Sequence, residues 1–225
     1  VGEIWINSPS KAQGYWERLE QTKEEFQATI ASGTDRDNEE KNVQYLRTGD
    51  LGFFFRRELF ICGRIKDVII VNGSNHYPQD IEYTAEKACD AYIRPGCTAA
   101  FAVRDDTDSK QGAGERLALV EAVQHYNKGQ GSRTSLQASG TETLVYVAEV
   151  KPDVKPSEYK VVATTARVSI TSEHGLAVPL LVLVKPRTIP KTTSGKITRA
   201  GCKKALFGKT LQVVHVYYAA GTGSG

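Results

Sequence analysis

The sequence has no methionine in 225 residues and begins at Val1. Because translation starts on methionine, it reads as a segment of a longer protein, cut by processing or by cloning. The closing Gly221-Thr222-Gly223-Ser224-Gly225 (within 219–225) reads as a linker or tag. Cysteine is scarce: Cys62, Cys89, Cys97 and Cys202 stand singly. Without C-x-x-C spacing they do not make a zinc site, and four are too few for a disulfide scaffold. A reducing, cytoplasmic setting is the expectation. Charge of one sign is also missing, since 29 basic against 26 acidic residues leave a net +3. That balance, with no basic stripe interleaved with aromatics, argues against a nucleic-acid partner. No apolar run reaches the roughly 18–20 residues that a membrane helix needs. The longest, 177–184, is strand-sized and contains Pro179. The amino terminus reads as a strand rather than as a basic stretch leading into an apolar one, so no secretory signal is expected.

What is present is ordinary for a globular chain, with 40% hydrophobic and 24% charged residues. Residues 1–7 alternate, with Ile4 and Ile6 on one face, and predict a strand. Thr22-Lys23-Glu24-Glu25 has the spacing of a capping box and predicts a short helix through Phe26 and Ile30. Polar residues 33–42 predict a loop. Strands are expected at 58–62 and 67–71, the second closing on the turn signal Asn72-Gly73. Pro78 suits the first turn of a helix reaching about Cys89, with Ile81, Ala85 and Ala88 on one face. Further strands are expected at 98–103, 117–124, 143–150 and 179–184, with a polar loop at 127–141. Ser157 is placed to cap a helix through Val161, Val162, Thr165, Val168 and Thr171 that Gly175 ends. Strands alternating with helices after residue 66 indicate an α/β (α+β) domain. The expected organisation is a β-rich unit over 1–65 and an α/β domain over 66–218.

Near the end stands "IPKTTSGKITR", a small polar turn followed by Lys196 and the start of a helix expected over 197–206. The phosphate-loop pattern G-x-x-x-x-G-K-[ST] fails twice here. Pro190 occupies the first glycine position, and Ile197 offers no hydroxyl for magnesium. A lysine carried on a mobile loop to a site built elsewhere remains open. For SGK taken alone, a solvated lysine on a turn is the plainer reading.

Three stretches change that balance by their order: "YLRTGDLG", "GRIKDVIIVNGSNHYPQDIE" and "PKTTSGKITR". Alone, TGD reads as a common turn and Gly-Arg before a strand as ordinary. Together with "VGEIWINSPSKAQGYW" they closely resemble the adenylate-forming superfamily of acyl-CoA synthetases, luciferases and peptide-synthetase adenylation domains. The Asn75-His76-Tyr77-Pro78 run resembles its fatty acyl-AMP ligase branch. The resemblance is dense over 1–82 and 179–206 and thin over 104–175.

It implies a small mobile carboxy-terminal domain preceded by a β-rich subdomain of the large domain. It also implies ATP and Mg2+ as cofactors, bound largely by an upstream part not in this chain. Fatty acid would be the substrate, and an acyl carrier protein or coenzyme A the acceptor. Residue by residue, the resemblance makes Lys196 the catalytic lysine, Asp50 the ribose contact and Arg64 a ribose or phosphate contact. Lys66 becomes the hinge, and Lys191 a surface or secondary phosphate contact. The chemistry suits these types: a carboxylate attacking a phosphate brings two anions together, and a lysine between them offsets both charges. No residue set is expected to hold a metal by itself. The plainer readings are an ion pair for Arg64, loop ordering for His76, packing for Tyr217 and Tyr218, and no chemical role for His125, His174 or His215. A non-catalytic binding module of the same fold is the rival from another class, with the polar excursions 105–116 and 127–141 as partner-docking loops.

Overall fold

The computed structural model describes residues 1–30, 43–104, 110–127 and 142–218, with the backbone alone for 110–113. The expected loop at 33–42, the expected loop at 127–141 apart from Asn127, residues 105–109 of the polar excursion and the tail at 219–225 lie outside the described residues. The chain divides into two compact units, Val1–Lys66 and Asp67–Gly225.

The first unit is an antiparallel sheet of β1 (Gly2–Ile6), β2 (Leu46–Phe55) and β3 (Glu58–Arg64), in that spatial order, with helix α1 (Leu19–Phe26). The helix starts one turn earlier than the capping-box reading placed it. Thr22 is therefore internal, and its hydroxyl accepts the Tyr15 N–H at 2.9 Å instead of capping. Gly14 permits that contact, because a Cβ there would lie 2.1 Å from the Thr22 methyl. Phe26 is buried, with Tyr15 edge-on at 5.1 Å.

The second unit opens with a hairpin of β4 (Ile69–Val71) and β5 (Ser74–His76). Its turn is Asn72-Gly73, at φ 51° and 76°, the left-handed pair that a two-residue hairpin needs. The expected strand over 67–71 is shortened, because Ile65–Asp67 form a 3-10 turn. Four strands follow: β6 (Ile93–Arg104), β7 (Glu142–Val150), β8 (Leu180–Val184) and β9 (Val213–Tyr218), in that order across one sheet. β7 and β8 are parallel and the outer pairs antiparallel. The parallel pair is joined through α4 (Tyr159–His174), as a parallel connection requires a crossover.

Helices cover both faces. α2 (Pro78–Ala88) and α4 pack on one, burying Ile81, Ala85, Val162 and Ile170 against Leu144, Tyr146, Leu181 and Leu183. α3 (Lys110–Tyr126) and α5 (Arg199–Phe207) pack on the other, burying Leu119, Val123, Cys202 and Leu206 against Val145, Val147, Leu180 and Val182. Alternate residues of β7 and β8 thus feed two cores, which is why both strands read as continuous apolar runs.

Three expectations fail here. The strand over 117–124 is the second half of α3. Leu119, Ala122 and Val123 are its buried face, spaced three and four apart. Residues 110–116, read as part of a polar excursion, are the first turns of the same helix. Ser157 caps nothing, because α4 is entered through a 3-10 turn, Pro156–Glu158, where the Glu158 carboxylate accepts the Lys155 N–H at 2.8 Å. Gly175 does end α4, at φ 66° with its N–H on the Thr171 carbonyl. No described helix is long and apolar enough to cross a membrane.

His215, half-buried in β9, is held below the ordinary histidine range by burial. The unfolded chain therefore takes up that proton first. The stability is complete above about pH 6.5, the ordinary histidine value, and is lost as pH falls through the lower folded value. Thermal unfolding midpoints should fall between about pH 7.5 and 5.5, and fall less in His215→Phe. His76 has the same sign, from burial and then the His174 charge, whereas burial raises Glu82, which acts oppositely. The difference between variant and wild type therefore isolates His215. Equal slopes in the two proteins would remove it from the pH response.

Candidate functional site

The TGD motif is not a turn. Thr48, Gly49 and Asp50 lie inside β2, where the register with β1 jumps. Leu51 faces Glu3 and Arg47 faces Trp5, so three residues of β2 oppose Ile4 alone. Gly49, at φ 71°, takes the left-handed step of this bulge. Side chains hold it in place. The Thr48 hydroxyl donates to the Ile4 carbonyl at 2.7 Å and accepts the Asp50 N–H at 3.0 Å. The Gly49 N–H donates to Glu3 Oε1 at 3.2 Å. Glu3 also accepts from Trp5 Nε1 at 2.8 Å and Arg47 Nε at 3.0 Å. Burial pushes the Glu3 pKa up, but these donors and the Arg47 charge outweigh it and hold the carboxyl low.

The bulge aims Asp50 across to β3, where its register partner is Arg64. Arg64 Nε donates to Asp50 Oδ1 at 3.2 Å, with Arg64 72% and Asp50 33% exposed. A pair this exposed adds little stability. It leaves a carboxylate and a guanidinium side by side, facing water. Arg64 also borders a cleft of about 350 Å3 within this unit, together with Glu3, Glu24, Glu25, Arg47 and Lys66. Lys66 is exposed, sits in the 3-10 turn and is the last residue of the first unit.

Lys196 belongs to the second unit, on a loop far more ordered than its composition suggests. Lys191 and Ile197 form an antiparallel bridge, and the Thr198 N–H and hydroxyl both reach the Pro190 carbonyl at 3.1 Å. The Thr192 N–H donates to the Lys196 carbonyl at 2.8 Å, and the Lys196 N–H to the Thr192 hydroxyl at 3.1 Å. Gly195, at φ 82°, closes the turn with its N–H on the Thr192 carbonyl at 2.9 Å. The result is a self-bonded hairpin that carries Lys196 exposed near its tip. The following helix starts at Arg199, two residues later than the sequence suggested. Lys191 does not point freely into solvent, since its Nζ lies 3.3 Å from Cys97 Sγ.

The loop is fastened on both sides by acids that the sequence analysis did not single out. Glu149, in β7, is fully buried and accepts the N–H groups of Thr188 at 2.8 Å and Ile189 at 2.9 Å. Arg94 also bonds it. At the far end, Arg199 forms a forked pair with Glu82 of α2 at 2.7 and 2.6 Å. Its third contact is Asp67 at 3.2 Å. Burial raises the Glu82 pKa by more than Arg199 and the Ala100 N–H lower it, leaving it above the usual carboxylate range.

Asp50 and Arg64 are thus brought together in one unit, and Lys196 stands in the other. His174, given no chemical role from the sequence, lies 2.9 Å from the Thr84 hydroxyl, a contact between α4 and α2. Among the described residues no group of three or more His, Cys, Asp or Glu could hold a metal ion.

No protein-family model matches the chain. Among curated proteins it is 40% identical over 212 residues to a medium-chain-fatty-acid–[acyl-carrier-protein] ligase, JamA, from Moorena producens, covering 94% of this chain and 29% of that protein. It is 36% identical over 215 residues to the long-chain-fatty-acid–AMP ligase FadD32 of Mycolicibacterium smegmatis, covering 94% of this chain and 32% of that one. The chain spans under a third of either relative. Among solved structures, one from a study of fatty acyl-adenylate ligases of E. coli and L. pneumophila superposes with a TM-score of 0.59. That match is 27% identical and covers 92% of this chain and 27% of that one. The chain belongs to the adenylate-forming superfamily, with fatty acyl-AMP ligases among the relatives it matches.

Proposed function

We propose that this chain is the carboxy-terminal part of an enzyme that activates a fatty acid with ATP and passes the acyl group to the phosphopantetheine thiol of a carrier protein. On this reading, 1–65 ends the large domain and 66–218 is the small mobile one. The observation that carries the reading is Lys196, exposed on a self-bonded hairpin inside a stretch that resembles the superfamily's lysine motif.

In the first step the fatty carboxylate attacks the α-phosphorus. An acyl–O–P bond forms and the bond to pyrophosphate breaks. Lys196 would stand between the two anions, donating to the attacking carboxylate and to the α-phosphate oxygens as charge builds. Asp50 can accept from both ribose hydroxyls, with the neighbouring Arg64 offering donors to ribose or phosphate. Magnesium, held by upstream residues, would supply charge neutralisation on the phosphates. In the second step the thiol attacks the acyl carbonyl and AMP leaves. Coenzyme A is the other thiol that fits this chemistry, and a cytoplasmic setting suits both.

ATP–pyrophosphate exchange with long-chain fatty acids tests the reading. Residues 1–225 alone should give no exchange, because the acid-binding part is upstream, whereas the full-length parent should exchange robustly. Exchange by the segment alone would overturn the division of labour, and a parent inactive on every chain length would overturn the activity. Acylation of a carrier protein rather than coenzyme A by the parent supports the proposed acceptor, and the reverse replaces it.

A further inference from the structure

Glu149 and Arg199 grip the two ends of the Lys196 loop, and their chemistry is specific. Glu149 is fully buried in a strand whose neighbours are apolar. Replacing a buried ion pair by well-packed aliphatic residues is often neutral or stabilising, so cohesion alone does not account for it. What an aliphatic residue cannot do is accept two consecutive amides. By taking the N–H groups of Thr188 and Ile189, Glu149 fixes the peptide planes immediately before the hairpin. Arg94 occupies its second oxygen, so the carboxylate itself is held.

Arg199 does the same on the other side. It is the first residue of α5, three positions after Lys196. Its forked bond to Glu82 ties the end of the hairpin to α2. Glu82 in turn accepts the Ala100 N–H of β6 at 2.8 Å. The third donor of Arg199 reaches Asp67, the first residue of the second unit and the neighbour of Lys66. One guanidinium therefore connects the lysine loop, the helix beneath it and the residue next to the unit boundary.

We infer that Glu149 and Arg199 are positioning residues for Lys196: they fix the loop on the sheet, so that Lys196 and Asp67 move as one body when the unit turns. This rests on the reading of Lys196 as the adenylation lysine. The arrangement matters because lysine is a point charge on a long stem, and the Cα position decides where that charge arrives. Misplacing a reacting group by about 1 Å can cost on the order of 100-fold in rate.

The test uses the full-length parent enzyme carrying Arg199→Lys or Glu149→Gln. Arg199→Lys keeps a charge but loses the planar fork that pairs with both Glu82 oxygens while a third donor reaches Asp67. Glu149→Gln keeps an acceptor but loses the charge facing Arg94. Each should lower kcat for adenylate formation about 10- to 100-fold, with KM for ATP and fatty acid little changed. Acyl transfer from pre-supplied acyl-adenylate, a step that does not use Lys196, should keep its wild-type rate. Added to Lys196→Ala, either change should cost almost nothing more, because groups acting through one another are not additive.

A purely architectural role would lower both steps together, or add its full loss on top of Lys196→Ala, and either result overturns the inference. Wild-type adenylation in both variants overturns it as well. If Glu149→Gln fails to fold, Arg199→Lys and Asp67→Asn carry the same test. If Lys196→Ala itself adenylates at the wild-type rate, the underlying reading falls, and this inference falls with it.

Discussion

Lys196→Ala in the full-length parent should lower acyl-adenylate formation by about two to three orders of magnitude, the scale of losing one preorganised charge contact at a transition state. ATP affinity should hardly move, because on the proposed reading Asp50, Arg64 and the upstream part would hold the nucleotide in the ground state. This separation follows from where the charge is needed. Two anions must meet, and a cation fixed between them acts most strongly as they approach. The hairpin's own hydrogen bonds mean that little reordering is required at that moment. Fold damage is an implausible source of the loss, because the Lys196 side chain is exposed and leaves no cavity when removed. Rates would be read by pyrophosphate release and affinity by ATP titration. A wild-type rate would strip Lys196 of its role and favour a binding module that has kept the fold.

Lys66→Pro should separate the two half-reactions. On the proposed reading, with Lys196 over the α-phosphate the same loop would stand in the path of an incoming thiol, so the small domain would have to turn between steps. Such turns concentrate dihedral change in a few residues at a boundary. The division between the two units falls immediately after Lys66. Proline there fixes φ near −65° and removes an amide donor, and it biases Ile65 away from helical angles. One arrangement should then be trapped. We expect the adenylating one to persist, because bound substrates supply its contacts. Single-turnover kinetics should show adenylate formation close to wild type and acyl transfer reduced on the order of 100-fold. Equal loss of both steps would indicate misfolding, and no loss in either would remove Lys66 from the mechanism.

The residues proposed for the site stand out in the sequence because their types and order are distinctive: Asp50 in TGD, Arg64 after a glycine, Lys196 after Ser194-Gly195. Their surroundings were less so. The bulge that aims Asp50 depends on a mismatch with Ile4, more than 40 positions away, and TGD carries no sign of it. Arg199 ends the PKTTSGKITR stretch, yet its partner Glu82 is 117 positions distant. Glu149 left a usable trace, an acid inside the otherwise apolar run Leu144–Val150 that asks for a buried partner. In α3 the stretch Leu117-Ala118-Leu119-Val120 satisfies a period of two as well as one of 3.6, so local pattern could not choose. What decided it was the sheet, which already had four strands and an uncovered face. The Asn72-Gly73 hairpin and the Pro78 helix start were read correctly because their signals are local and backbone-determined.

The two-sided sheet has a consequence for handling the protein. β8 reads Leu-Leu-Val-Leu-Val, with every residue buried and no charge or proline inside it. A strand of that kind is a template for pairing with other chains whenever one of its sides is left open. β9 lies along that side as the last strand of the sheet, only half-buried itself. A truncation before Val213 would leave every residue of the candidate site in place and still expose the amides and carbonyls of β8. The six residues of β9 cover that edge, so a piece of this unit ending before Val213 should aggregate where one ending after Tyr218 does not.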